Sequence, residues 1–178
     1  MSEYIAAPLS RCFLRQYALS IRKKLGLENI MKFPVLEFLE VFPYLIGDED
    51  FYYEIVPDDL FPKGIHAQYD VMENCIAIKS SVYEGAVADQ GRDRMTITHE
   101  LSHTLIIKHS GIKVNRCFSG EKIITYQDPE WQAKCLAGEL MIPANLVKGM
   151  SPNQVAADCG VSYQAAFYQL KVQEKEKR

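Results

Sequence analysis

His99-Glu100-Leu101-Ser102-His103 constrains the fold of this chain more than any other stretch. Two histidines four residues apart project from one face of a helix, so both imidazoles can reach a single metal ion at about 2.0 to 2.1 Å. Glu100 then stands beside that ion, where it can take a proton from an activated water and pass it to a leaving amine. A catalytic zinc takes three protein ligands and leaves a position for water, so the fold has to bring a third donor from outside the motif. The motif helix is expected to start from a cap at Asp89 or Asp93 and to run to Lys108 or His109, with Ser110-Gly111 as its stop.

Two candidates compete for the third position. His109 follows His99 by ten residues, the spacing of the long H-E-x-x-H-x-x-G-x-x-H signature. Where that signature breaks its helix with glycine, this chain has Ile106, a β-branched residue that resists positive φ. A continuous helix would carry His109 about 9 Å beyond His103 and about 240° around the axis, out of reach of the ion. It reads better as a C-terminal histidine favoured by the helix dipole. The other candidate is Glu130. Asp128 is a good N-cap, Pro129 fits the first helical position, and Pro143 closes a run from Glu130 to Ile142. Glu139 lies on the same run about 180° away, so only one of the two can face the metal. Taken alone, Glu130 also reads as an acid that merely favours the helix dipole, and the spacing leaves the choice open.

The remaining pattern is mixed. Pro8 to Leu25 carries an apolar stripe at Leu14, Ala18, Ile21 and Leu25, with Arg15, Arg22, Lys23 and Lys24 as a solvated basic face and Gly26 as the stop. A short second helix begins at Pro34 and ends at Pro43. Phe51 to Val56 reads as a strand, and Ile65 to Tyr69 with Cys75 to Lys79 as an antiparallel hairpin turning at Glu73-Asn74. After a loop with a short strand at Ile123 to Thr125 and the Glu130 helix, Pro152 to Asp158 and Tyr163 to Val172 form two helices around Cys159-Gly160-Val161-Ser162. The fold class is α+β, one domain over 1–178, with 144–172 a small helix-turn-helix-like helical extension and a frayed charged tail from Gln173.

Composition narrows the setting. With 178 residues, 48% of them apolar, one compact core suffices without a staple. A net charge of -3 supplies no field for strong nucleic-acid binding. Five scattered cysteines, Cys12, Cys75, Cys117, Cys135 and Cys159, read as free thiols in a reducing compartment. No secretory pattern or membrane-spanning run is present, so a soluble cytoplasmic protein with no membrane partner is expected.

Three segments together carry a family resemblance: Ser81-Val82-Tyr83-Glu84-Gly85-Ala86; Gly91-Arg92-Asp93-Arg94-Met95-Thr96-Ile97-Thr98 leading into His99-Glu100-Leu101-Ser102-His103; and Glu130-Trp131-Gln132-Ala133 through Ala137-Gly138-Glu139-Leu140-Met141-Ile142-Pro143. In that order, over about half the chain, they resemble the ImmA/IrrE family of metallopeptidases. The resemblance implies a zincin-like core, with a small antiparallel or mixed sheet packed on the motif helix. It implies zinc held by His99, His103 and Glu130, with Glu100 as general base. A His-His-Glu set also accepts manganese or iron. Members of the family inactivate helix-turn-helix repressors by cleaving them, so the implied partner is such a repressor. Ala133 and Ala137, one turn apart, would let their helix approach the motif helix closely. Ser102 stands where the family commonly has glycine but stays small, and Cys135 replaces a frequent aromatic residue.

Two other readings are open. Val155 to Ser162 resembles the turn of a DNA-binding unit. The following helix, however, offers Tyr163, Gln164, Tyr168 and Gln169 with Lys171 as its only cation before the tail, which cannot neutralise a phosphate backbone. A metal-binding anti-repressor that docks without cutting is the third reading. Tyr126 and His66 have the chemistry of an oxyanion stabiliser, although a core tyrosine and a hairpin histidine are the simpler accounts; Tyr83 reads as a packing residue.

Overall fold

The computed structural model describes residues 4–110, 115–116 and 124–175. In chain order the elements are β1 (Tyr4–Ile5), α1 (Arg11–Lys24), α2 (Val35–Ile46), β2 (Tyr52–Val56), β3 (Ala67–Asp70), β4 (Cys75–Lys79), α3 (Ser80–Val87), α4 (Gly91–Ser110), β5 (Asn115–Arg116), α5 (Pro129–Met141), α6 (Pro152–Cys159) and α7 (Tyr163–Lys175). The class is α+β. Three strands form a mixed sheet in the order β2-β4-β3, with β4 parallel to β2 and antiparallel to β3. The hairpin register pairs Ala67 with Ile78 and Asp70 with Cys75. Its turn is held by Asp70, whose Oδ1 accepts from the N–H groups of Met72 and Glu73, and by Asn74 at a φ of 53°.

Helix α4 is the axis of the molecule: α5 packs along it, α3 and β3 lie against it, α2 reaches it, and α1 covers α5. Its buried residues, Ile97, Leu101, Leu105 and Ile106 with the polar Thr98 and Ser102, surround most of its circumference. In the middle of the helix the strip bearing His99, Glu100 and His103 keeps partial access to solvent, while towards the ends Arg92, Lys108 and His109 are exposed. The core continues through an aromatic chain, Phe33, Phe38, Phe42 and Phe51, with successive ring centroids 4.9, 5.4 and 4.9 Å apart in edge or tilted contacts.

Four local expectations change. Pro43 lies inside α2, which continues to Ile46 and ends at left-handed Gly47. One missing N–H close to the helix end costs one bond, and the buried Phe38, Leu39 and Phe42 hold the remaining turn in place. The segment after β4, read only as a motif, is the helix α3, with Val82 and Ala86 buried one turn apart. Neither Asp89 nor Asp93 stands at the cap of α4: Asp89 adopts a φ of 63°, Asp93 is in the first turn, and Gln90 O accepts from the N–H groups of Asp93 and Arg94. Thr125–Gln127 is a 3-10 turn rather than the end of a strand; Ile123, Gly111 and Cys117 lie outside the described residues.

The basic face of α1 is not simply solvated. Arg22 is 1% exposed and gives its guanidinium to backbone carbonyls, Leu140 at 2.6 Å, Leu27 at 3.3 Å and Ile30. The carbonyls left unpaired at the end of α5 and in the loop after α1 recruit a donor from whichever side chain packs there, and Arg22 fills that place. The other cation, Arg94 of α4, is 3% exposed and donates to Phe33 O at 2.6 Å, Cys159 O at 3.3 Å and Gly160 O. It clamps the turn between α6 and α7 to the start of α4. At the same place a Cβ on Gly91 would stand 2.7 Å from Val161 Cα, so only glycine lets the two backbones approach this closely. The α6–α7 pair is thereby seated on the rest of the fold.

Candidate metal centre

His99 and His103 stand one turn apart on the open strip of α4, their rings 4.6 Å apart at 80° and their Nε2 atoms 3.1 Å apart. Glu130 comes from the first turn of α5. Its Oε2 lies 3.4 Å from His99 Nε2 and its Oε1 3.3 Å from His103 Nε2. A tetrahedral ion with bonds of about 2.0 to 2.1 Å separates its ligands by about 3.3 Å, close to the spacing between the two imidazole nitrogens and between each nitrogen and its nearer Glu130 oxygen. Each atom brings a lone pair, and all fall within 4.8 Å of one another. Two imidazoles and a carboxylate suit zinc, and equally manganese or iron, so the donor set fits a divalent cation.

The start of α5 is built to hold Glu130 there. Asp128 caps the helix by accepting from Glu130 N at 3.0 Å, and Pro129 occupies the first helical position. Fully buried Gln132 donates through Nε2 to Ala7 O at 2.7 Å and Tyr126 O at 2.8 Å, tying the N-terminal segment to this end of the helix. Along the α4–α5 interface the buried residues include the small Thr98, Ser102, Ala133 and Ala137. The two hydroxyls turn back onto their own helix, Thr98 to Arg94 O at 2.9 Å and Ser102 to Thr98 O at 2.7 Å, so serine at 102 is accommodated without an unpaired group.

Electrostatics divide the two acids. Hydrogen bonds from His103 and His99 hold the Glu130 carboxyl far below the usual carboxylate range, against the opposing effect of burial. Burial pushes the Glu100 carboxyl up, opposed by the neighbouring histidines and by a hydrogen bond from Tyr69 N at 3.1 Å. That bond comes from the outer strand, β3. Because Tyr69 acts through its backbone, no residue type in the sequence marks it.

The competing candidates lie elsewhere. Glu139 is 1% exposed and forms a two-pronged pair with Arg15, both bonds 3.0 Å, with Arg11 at 3.7 Å. His109 packs its ring 5.3 Å from Phe13 and 4.9 Å from Tyr17, against α1. His66 meets Arg92 at 3.2 Å. Tyr126 is half-exposed in the turn before α5, and Tyr83 stacks on Tyr53 at 6.5 Å. Cys135 is buried on α5, Cys75 and Cys159 are buried free thiols, and Cys12 is an exposed one. Among the described residues no helix is long and apolar enough to cross a membrane. On α7, Gln169 is 3% exposed and turned towards Gly138 of α5, so it is not available to read a base edge.

No family model matches the chain, and no curated protein does. Among solved structures, a Mycobacterium tuberculosis transcriptional regulator is similar over 88% of this chain and 46% of its own length, with a TM-score of 0.57 and 13% identity. The chain therefore spans less than half of that neighbour. A likeness at this identity is one of fold.

Proposed function

We propose that the chain is a zincin-like metallopeptidase, as its resemblance to the ImmA/IrrE family implies, and that it inactivates a helix-turn-helix repressor by cutting it. The observation that carries this reading is the convergence of His99 Nε2, His103 Nε2 and Glu130 on one point, beside the partly buried carboxylate of Glu100. A divalent cation held by those three residues, zinc first and manganese or iron as alternatives, would supply Lewis acidity to activate water and polarise a peptide carbonyl. The chain's own part is positional and acid-base. His99 and His103 are presented by a helix locked on its other sides, Glu130 by a capped helix start. Glu100, oriented by Tyr69 N, accepts a proton from water and returns it to the departing amine.

The test pairs the purified protein and zinc with a candidate helix-turn-helix repressor. A defined fragment is expected. Glu100→Gln should keep its metal yet lose cleavage by about a thousandfold or more, within the range general acid-base catalysis supplies. Unchanged cleavage by Glu100→Gln would sink the mechanism. Stable complex formation without a fragment would favour the docking anti-repressor instead.

A further inference from the structure

A cavity of about 490 Å³ opens beside His99, between α4, α5 and α7. It is of the size in which proteins hold ligands, about 300 to 1,000 Å³. Met95, Trp131, Cys135, Ala137, Ile142 and Ala165 give it apolar walls. The charged side chains that line it, Arg11, Arg92 and Lys134, are all cationic, and among the described residues no acid lines it. One polar group in the wall stands out. Gln169 lines the cavity at 3% exposure, and its Nε2 has no hydrogen-bond partner among the described residues. Its amide oxygen lies 2.9 Å from where a Cβ on Gly138 would project, so the absence of a side chain there makes room for the amide. A buried donor left unmade is costly, and the last torsion of a glutamine is broad enough to turn that donor towards a carbonyl entering the cavity.

We infer that this cavity receives a large apolar side chain of an extended peptide that carries an acidic residue beside it, with Gln169 donating to the peptide backbone. The inference rests on the metallopeptidase reading of the adjoining centre and names the residues that would choose the cut. The apolar walls exclude a charged occupant from the interior, while Arg92 and Lys134 draw a carboxylate to the rim. The volume accommodates a leucine, methionine or phenylalanine side chain together with the backbone that bears it. Continuity with His99 puts that backbone at the three donors.

Trp131 is the single tryptophan of the chain and lines the cavity, so its fluorescence reports occupancy directly. The probe is the peptide acetyl-Gly-Asp-Leu-Gly-Gly-amide, titrated into the full chain after metal removal by a chelator, so that binding is read apart from cleavage. Replacing Leu by Gly in the peptide should weaken binding at least about tenfold, the cost of leaving a leucine side chain unburied. Replacing Asp by Lys should weaken it several-fold, an effect that fades as salt is raised. Ala165→Phe, which fills the cavity, should abolish the response. Gln169→Leu should bind about tenfold more weakly while unfolding at no lower temperature, a combination that a merely structural glutamine would not show.

Equal affinity for the Leu and Gly peptides would overturn the inference. So would the lack of a Trp131 response at millimolar peptide, or repressor cleavage undiminished in zinc-loaded Ala165→Phe. Selective peptide binding without any cleavage by the zinc-loaded chain would leave the pocket standing and remove the peptidase reading instead.

Discussion

Glu130 and Glu139 sit on the same helix, nine residues apart, and differ in almost everything that surrounds them. Glu139 is 1% exposed and faces two guanidiniums, which are permanently charged and carry no lone pair. Its charge is neutralised within the protein, and the pair bolts α5 to α1. Glu130 is 49% exposed and faces two imidazole nitrogens, which can each offer a lone pair. The counter-charge the protein sets beside it is Lys134, 71% exposed and 3.9 Å away, so the carboxylate stays accessible to a cation. What a carboxylate does here is decided by its partners and not by its residue type: one end of α5 is a structural joint, and the other completes a group of three side chains that could hold a metal ion.

That contrast predicts separable losses. The largest concerns stability: Glu139→Ala removes the buried carboxylate that joins α5 to α1 and should cost about 3 kcal/mol, the lower end for breaking a buried pair because Arg15 is partly solvated. Urea unfolding measures it, and zinc affinity of the folded protein should not change. Next comes Glu130→Ala, which should lower zinc affinity by at least about a hundredfold, more than removal of a supporting residue normally does. The metal-free protein should lose under about 1 kcal/mol, since the group is half exposed. If the two variants exchanged phenotypes, the division of α5 would be wrong.

His109→Ala sharpens the comparison from α4. The ring packs on Phe13 and Tyr17, so removing it should cost about 1 kcal/mol of stability and leave zinc stoichiometry intact. The smallest effect lies at Cys159, a fully buried group whose neighbouring cations do not compensate for lost hydration as Arg15 does for Glu139. Burial lifts its thiol to about 11, against the opposing influence of Arg22 and Arg94. A raised folded-state value means that its contribution is complete below about pH 9 and is lost as the pH rises towards 11. Cys159→Ala should flatten that part of the stability profile, measured by thermal unfolding between pH 8 and 11.

Much of the site was legible because its signals are local. Helical spacing sets His99 and His103 on one face, and Asp128-Pro129 marks the start of α5 through a cap and a fixed φ. The unsuitability of Ile106 as a helix breaker removes His109 from the metal, and the structure indeed packs that ring against α1. Where reading failed, the deciding contact was tertiary or the local pattern was too brief. Arg22 looks like one more cation on a wet helix face, and nothing nearby reveals that it ends among the carbonyls of Leu140, Leu27 and Ile30. The helix α3 is short, and its pair of buried residues is too brief a pattern to outweigh the strand before it.

By itself the sequence determined the α+β class, the two histidines on one face of α4, the acid between them and the element that carries Glu130, since periodicity, capping and side-chain chemistry act over one or two turns. Between Glu130 and Glu139 helical spacing does not decide: the family resemblance implies Glu130, and the folded chain supplies the physical reason. Both are glutamates on one helix, and the difference lies in which neighbours, imidazoles more than 25 residues upstream in α4 or guanidiniums more than 100 residues upstream in α1, long-range packing brings to each end.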